Sequence, residues 1–169
     1  MIFIKTLLFS LMIATSALLG YSYSKKYVNR VEELKLFKSA LVMLKTKIRY
    51  TYAPLNEIFN DIAESIKGNL AILFRNACKH IEEKGATEGF NIAIETTELN
   101  VTKEDKQVMK SLSKLLGKTD VEGQINEIEL TETFLDTQIE KAEIERQKNA
   151  KLYQTLGVIC GLGLVIILL

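Results

Sequence analysis

Few side chains in this 169-residue sequence are of a type suited to chemistry, and they do not gather. His80 is the sole histidine and Cys78 stands two positions before it, so on a helix the two point apart. A metal site draws on three or four convergent ligands, and a lone histidine on a solvated helix face is the ordinary reading. Glu127, Glu129 and Glu132 offer the paired carboxylates that acid–base catalysis uses. They fall, however, within a charged stripe that reads as the solvent-facing side of a helix. No glycine-rich phosphate loop, serine elbow or Cys–His arrangement is present. The residue pattern therefore points away from an enzyme, a bound cofactor, a metal or a small-molecule substrate. A formal net charge of +1 gives no footprint for nucleic acid.

Two short stretches stand out instead as contact surfaces. Tyr50 to Leu55 gathers tyrosines and the only proline of the chain at a corner between helices. Leu115 to Asp120 is a second tight corner, followed by Gly123 and Gln124. Turn chemistry accounts for most of these types: Pro54 starts a helix, Gly117 ends one and Asp120 caps one. It does not account for Lys118 and Gln124, which the pattern leaves exposed. Tyr50, Pro54, Leu116, Gly117, Lys118, Asp120 and Gln124 are accordingly the candidate partner-binding residues.

The elements that must position these corners are all helical. Leu34, Phe37, Leu41, Leu44 and Ile48 recur at three-and-four spacing across Val31 to Tyr50, with lysines on the other face. The helix stops before Pro54, because the residue preceding proline disfavours the α region. Leu55 to Lys67 and Leu70 to Lys84 repeat the pattern, with Asn69 as N-cap of the latter and Gly85 as its end. Glu88 to Thr97 is a shorter helix. A fifth begins with an N-terminal cap at Thr102 and acids in its first turn, and runs to Gly117. From Asp120 onward one helix continues to Leu169, with Val121, Ile125, Ile128, Leu135, Ile139 and Ala142 along its apolar face and Glu132 interrupting it. The expected architecture is an all-α bundle of about six helices whose two longest continue into N- and C-terminal transmembrane spans.

Those spans are residues 2–23 and 152–169, flanking a charged helical domain over 24–151. All acidic residues lie between Glu32 and Glu145, and Lys5 is the only basic residue outside Lys25 to Lys151. Ile2 to Tyr23 is long enough to cross a hydrocarbon core of roughly 30 Å, with Lys5 able to snorkel at one end and Tyr21, Tyr23 and Tyr27 at the other. A leader cleaved near Gly20 or Ser22 is the competing reading. The second span is shorter, and Gly157 and Gly161 form a small-xxx-small pair suited to packing on another membrane helix. Basic residues decide the orientation. Lys25, Lys26, Arg30, Lys35 and Lys38 follow the first span, and Lys141, Arg146, Lys148 and Lys151 precede the second, which places the middle in the cytoplasm. Cys78 lies in the charged middle and Cys160 in the apolar tail, a layout that forbids their disulfide and suits a reducing compartment.

Several of these residues together carry a family resemblance. Ile48, Tyr50, Pro54 and Leu55, then Leu116, Gly117 and Asp120 with Gln124 shortly after, and finally Lys151, Leu156, Gly157, Gly161 and Leu162 resemble, in order and spacing, the stage III sporulation protein AB family. The resemblance implies a membrane protein of endospore-forming bacteria, in the mother-cell membrane facing the forespore. It implies a cytoplasmic helical domain similar to the inner-membrane platform proteins of type II secretion and type IV pilus machines. In that picture the protein helps build the channel between mother cell and forespore, with other channel subunits and a secretion-type ATPase as partners; a homo-oligomer is a separate expectation. By analogy, the corner at Lys118 and Asp120 is where the ATPase couples. The alternatives are a membrane-anchored helical adaptor or sensor unrelated to secretion, with Val31 to Tyr50 and Val121 to Arg146 as an antiparallel pair, and a secreted protein with a cleaved leader.

Overall fold

The computed structural model describes residues 2–51, 53–114 and 116–168, without the side chains of residues 2, 4–6 and 168. Tyr52, Leu115 and Leu169, together with the side chain of Lys5, therefore lie outside the described residues. The chain forms α1 (Ile2–Tyr50), α2 (Leu55–Ser65), α3 (Asn69–Lys84), α4 (Ala86–Thr96), α5 (Lys103–Ser111), a 3₁₀ turn (Leu112–Lys114) and α6 (Val121–Leu168). No strand occurs among the described residues, and the two terminal helices are by far the longest, as expected. Two compact units result, one of Glu32–Glu140 and one of Met1–Val31 with Lys141–Leu169.

The unit Glu32–Glu140 is built around four phenylalanines, one from each of α1 to α4. Phe37, Phe59, Phe74 and Phe90 are all fully buried. Phe59 meets Phe74 edge-on at 5.3 Å between ring centroids and Phe90 at 5.5 Å, and Phe37 stacks on Phe74 at 6.3 Å. These are the offset and edge-to-face arrangements that ring quadrupoles favour. The helical stripes predicted for α1 to α4 supply the surrounding Leu34, Leu41, Leu44, Ile62, Leu73 and Ile94. Helices α3 and α4 approach so closely that a Cβ at Gly89 would lie 2.5 Å from the Ile81 nitrogen.

Polar groups within this unit are tied off. Glu33 of α1 accepts hydrogen bonds from the Asn100 backbone N–H at 2.6 Å, the Asn100 amide at 2.8 Å and the Asn69 amide at 3.2 Å. One carboxylate thus joins α1, the start of α3 and the loop before α5. The cap expected at Thr102 is a full capping box with Asp105, whose carboxylate is buried yet accepts from the Thr102 N–H at 2.8 Å.

Four local expectations are corrected. Gly68 occupies the N-cap position of α3 while Asn69 lies inside the helix, because the Asn69 amide is engaged by Glu33. Helix α4 begins at Ala86, two positions before Glu88, since Gly85 ends α3 and precedes α4 at once. Helix α5 gives way to a 3₁₀ turn after Ser111, where the Ser111 and Ser113 hydroxyls turn back onto the Val108 and Lys110 carbonyls. The inner seam of α6 carries fully buried Thr131 and nearly buried Gln138 between Ile128, Leu135 and Ala142. Glu132 is then swung toward Lys45, 2.9 Å away, and is only 15% exposed.

The unit of Met1–Val31 and Lys141–Leu169 is a pair of antiparallel helical segments with the opposite distribution of side-chain sizes. Its contacts run in register: Arg30 to Glu145 at 2.7 Å, Tyr27 and Tyr23 stacked on Tyr153, Gln154 to Ser24 at 3.1 Å, and Ser16 Oγ to the Gly157 carbonyl at 2.6 Å. Gly20, Gly157 and Gly161 are buried at the crossing. A Cβ at Gly157 would lie 2.8 Å from the Ser16 carbonyl oxygen, and one at Gly161 3.0 Å from the Ile13 Cα. The glycine pair therefore packs on α1 of the same chain. Leu7, Leu11, Leu18, Leu19, Ile166 and Ile167 face outward. Both helices are long and apolar enough to be candidate membrane spans.

Candidate functional site

The two corners singled out in the sequence stand side by side within the unit Glu32–Glu140. Ion pairs from Lys38 to Asp136 and from Lys45 to Glu132 set α1 antiparallel to α6 in this unit. That register brings the Tyr50 end of α1 level with the Val121 start of α6. At the first corner the Thr51 N–H bonds the Lys47 carbonyl at 2.9 Å to close α1, and the Pro54 carbonyl accepts from the Ile58 N–H at 3.1 Å to open α2. Pro54 is exposed, and Tyr50 is 71% exposed.

The second corner is braced by its own polar groups. Gly117 adopts φ +70°, a left-handed conformation that glycine takes without a Cβ penalty. Its N–H donates to Gln124 Oε1 at 3.1 Å, and Gln124 Nε2 donates to the Thr119 carbonyl at 3.0 Å. Asp120 Oδ1 accepts from the Gly123 N–H at 3.0 Å, which makes Asp120 the cap of α6 that the sequence predicted. Gln124 is thus half-buried and internally committed, contrary to the exposed position expected of it. Leu116 is buried beneath the turn. Lys118 alone of the second corner's candidates projects a long charged side chain into solvent.

Between the corners lies a groove of about 210 Å³, walled by Ile48, Ala53, Leu55 and Ile58 on one side and Gly117, Val121 and Gln124 on the other. Its apolar wall was not singled out by composition. The signal lay in the helix register: if α1 and α6 run antiparallel, the two corners must meet. Tyr50, Pro54, Gly117, Lys118 and Asp120 are exposed in the corners, Leu116 is buried and Gln124 half-buried, and Gly117, Asp120 and Gln124 brace the second turn.

The remaining chemistry-capable groups stay apart from this groove. Cys78 is half-buried with Sγ 3.5 Å from the Asn56 carbonyl, and burial pushes its thiol above the ordinary range. A protonated thiol is a poor nucleophile. The hydrogen bond from Lys45 to Glu132, with the charges of Glu132 and Glu129, holds the Lys45 ammonium above its ordinary range against the opposing effect of desolvation. Hydrogen bonds from Lys110 and then Lys106 hold the Glu95 carboxyl below its ordinary range. Glu129 and Glu132 are therefore partners of Lys45, not a free acidic face. Among the described residues no three His, Cys, Asp or Glu side chains are grouped to hold a metal.

Comparison with known proteins bears out the family resemblance. The family described as Stage III sporulation protein AB matches residues 5–169. Stage III sporulation protein AB of Bacillus subtilis (strain 168) is 27% identical over 155 residues, which span 89% of this chain and 90% of that protein. A solved structure of Stage III sporulation protein AB (SpoIIIAB) superposes with a TM-score of 0.64 at 21% identity, covering 71% of this chain and 98% of the solved one, a likeness of fold. Because the family match takes in both long helices and both corners between them, this chain belongs to the stage III sporulation protein AB family.

Proposed function

We propose that this protein is a non-enzymatic membrane platform of the sporulation channel, which docks a secretion-type ATPase and other channel subunits. The observation that carries the reading is one groove lined from both corners, by Ile48, Ala53, Leu55 and Ile58 and by Gly117, Val121 and Gln124, with Tyr50, Pro54 and Lys118 exposed in the same corners. Interfaces favour this mixture of an exposed aromatic, an apolar floor and a single charge. The outward-facing leucines of the terminal helix pair support insertion in the cell membrane. The basic residues flanking both spans support residues 24–151 lying in the mother-cell cytoplasm. Several copies of the chain at one channel would be compatible with this arrangement.

Because Asp120 caps α6 and Gln124 braces the turn, substituting either mixes folding with docking. Tyr50→Ala combined with Lys118→Glu changes only exposed side chains. The ATPase co-purified from sporulating cells should fall by about tenfold, equivalent to roughly 1.4 kcal/mol, with unchanged protein level and reduced spore yield. Unchanged recovery of the ATPase would refute docking at this corner. For orientation, Lys118→Cys in a background lacking Cys78 and Cys160 gives a better reporter than the half-buried Cys78. An impermeant maleimide should label it only after permeabilisation, and labelling in intact cells excludes the cytoplasmic placement.

A further inference from the structure

We infer that the face of α6 running from Lys148 to Ile159 is a binding site for an anionic phospholipid. A groove of about 440 Å³ lies along this face, lined by Lys148 and Lys151 at one end and by Leu152, Thr155, Leu156 and Ile159 below them. Lys148, Leu152, Thr155 and Ile159 follow four-three-four spacing, so they form one continuous ladder. At about 1.5 Å per residue the ladder is roughly 16 Å long, close to half of a hydrocarbon core of about 30 Å. Cations at one end and a leaflet's depth of apolar surface match a phosphate headgroup and one acyl chain.

The charges nearby make the two lysines available. Arg146 is paired with Glu143 at 2.7 Å, and Arg30 takes the Glu145 carboxylate at 2.7 Å. No acidic residue follows Glu145 in the sequence. Lys148 and Lys151 are exposed, and neither joins an ion pair among the described residues. Tyr153 stacks between Tyr23 and Tyr27 beside them, an aromatic cluster of the kind that settles at headgroup level. A basic pocket on the cytoplasmic side of a membrane helix is suited to anionic headgroups.

The site rests on the membrane-inserted reading of the terminal helices, and the experiment keeps the two apart. Carbonate extraction of cell membranes comes first: release of the protein would refute insertion itself. The full-length chain is then reconstituted in nanodiscs of phosphatidylcholine and phosphatidylglycerol, released into detergent, and its retained lipids are counted by native mass spectrometry. The wild type should retain phosphatidylglycerol over phosphatidylcholine by at least about fivefold, and Lys148→Gln with Lys151→Gln should abolish the preference. Lys148→Arg with Lys151→Arg should keep it. Lys25→Gln with Lys26→Gln, the same change of net charge on α1, should keep most of it. Equal loss in both Gln pairs, or loss in neither, overturns the site.

Discussion

In the unit Glu32–Glu140, large apolar side chains meet at the centre and charges face outward. In the unit of Met1–Val31 and Lys141–Leu169, glycine and serine meet at the centre and leucines face outward. The phenylalanine cluster gains from leaving water, about 25 cal/mol per Å² of apolar surface buried. A helix pair whose surroundings are themselves apolar gains nothing from hiding leucine. Close backbone contact and hydrogen bonds across the crossing must then supply the attraction. The Ser16 hydroxyl on the Gly157 carbonyl and the glycines at 157 and 161 fit that requirement. Size and polarity are thus reversed between the units, the reversal that candidate membrane spans require, since lipid outside a helix pair does not reward burying leucine.

The contrast is tested most severely at the centre of the aromatic cluster. Phe74→Ala should cost about 3–5 kcal/mol through lost transfer energy and a cavity. Hydrogen exchange of α2 to α4 in the full chain in mild detergent reads this, and a change below about 1 kcal/mol would show that the four rings are not the core. Next comes Gly157→Leu, which forces a side chain into the Ser16 backbone and should weaken the helix pair by about 1–3 kcal/mol. With native cysteines removed, a Tyr23→Cys/Tyr153→Cys pair should cross-link in the parent and fail to cross-link with Leu at 157. Protection of α3 and α4 should not change. Persistent cross-linking would mean that the two backbones do not touch there.

The smallest effect concerns Glu95, whose pKa is lowered by hydrogen bonds from Lys110 and Lys106. A lowered carboxylate pKa adds stability above the ordinary range near about 4.3, and that stability is lost as pH falls through the folded value. Glu95→Gln should therefore be less stable than the parent at pH 7, with the gap closing in acid. Its side chain is 55% exposed, so the difference should stay below about 1 kcal/mol. A gap that widens in acid would reverse the assigned sign.

The number of helices and most of their stops were legible in the sequence because they follow from local rules; α2 ends at Ser65 and α5 at Ser111, short of the expected Lys67 and Gly117. Apolar spacing fixed which faces of α1 to α4 turn inward, Pro54 and Gly117 fixed the corners, and Thr102 and Asp120 fixed two caps. The apolar ends, with Lys5 as their only charge apart from the flanking lysines, marked the candidate spans. What periodicity could not supply was anything requiring two distant segments at once. Gln124 looked exposed because nothing local reveals that its amide spans Gly117 and Thr119. Glu132 looked solvated because Lys45, far away in the chain, is needed to draw it inward. The groove between the corners, the packing of Gly157 on α1 and the Glu33 junction are likewise products of tertiary register. Backbone preferences act over a few residues and are written in the order of the chain. Register is settled by side chains that meet only after folding, and a single sequence holds no record of which pairs those are.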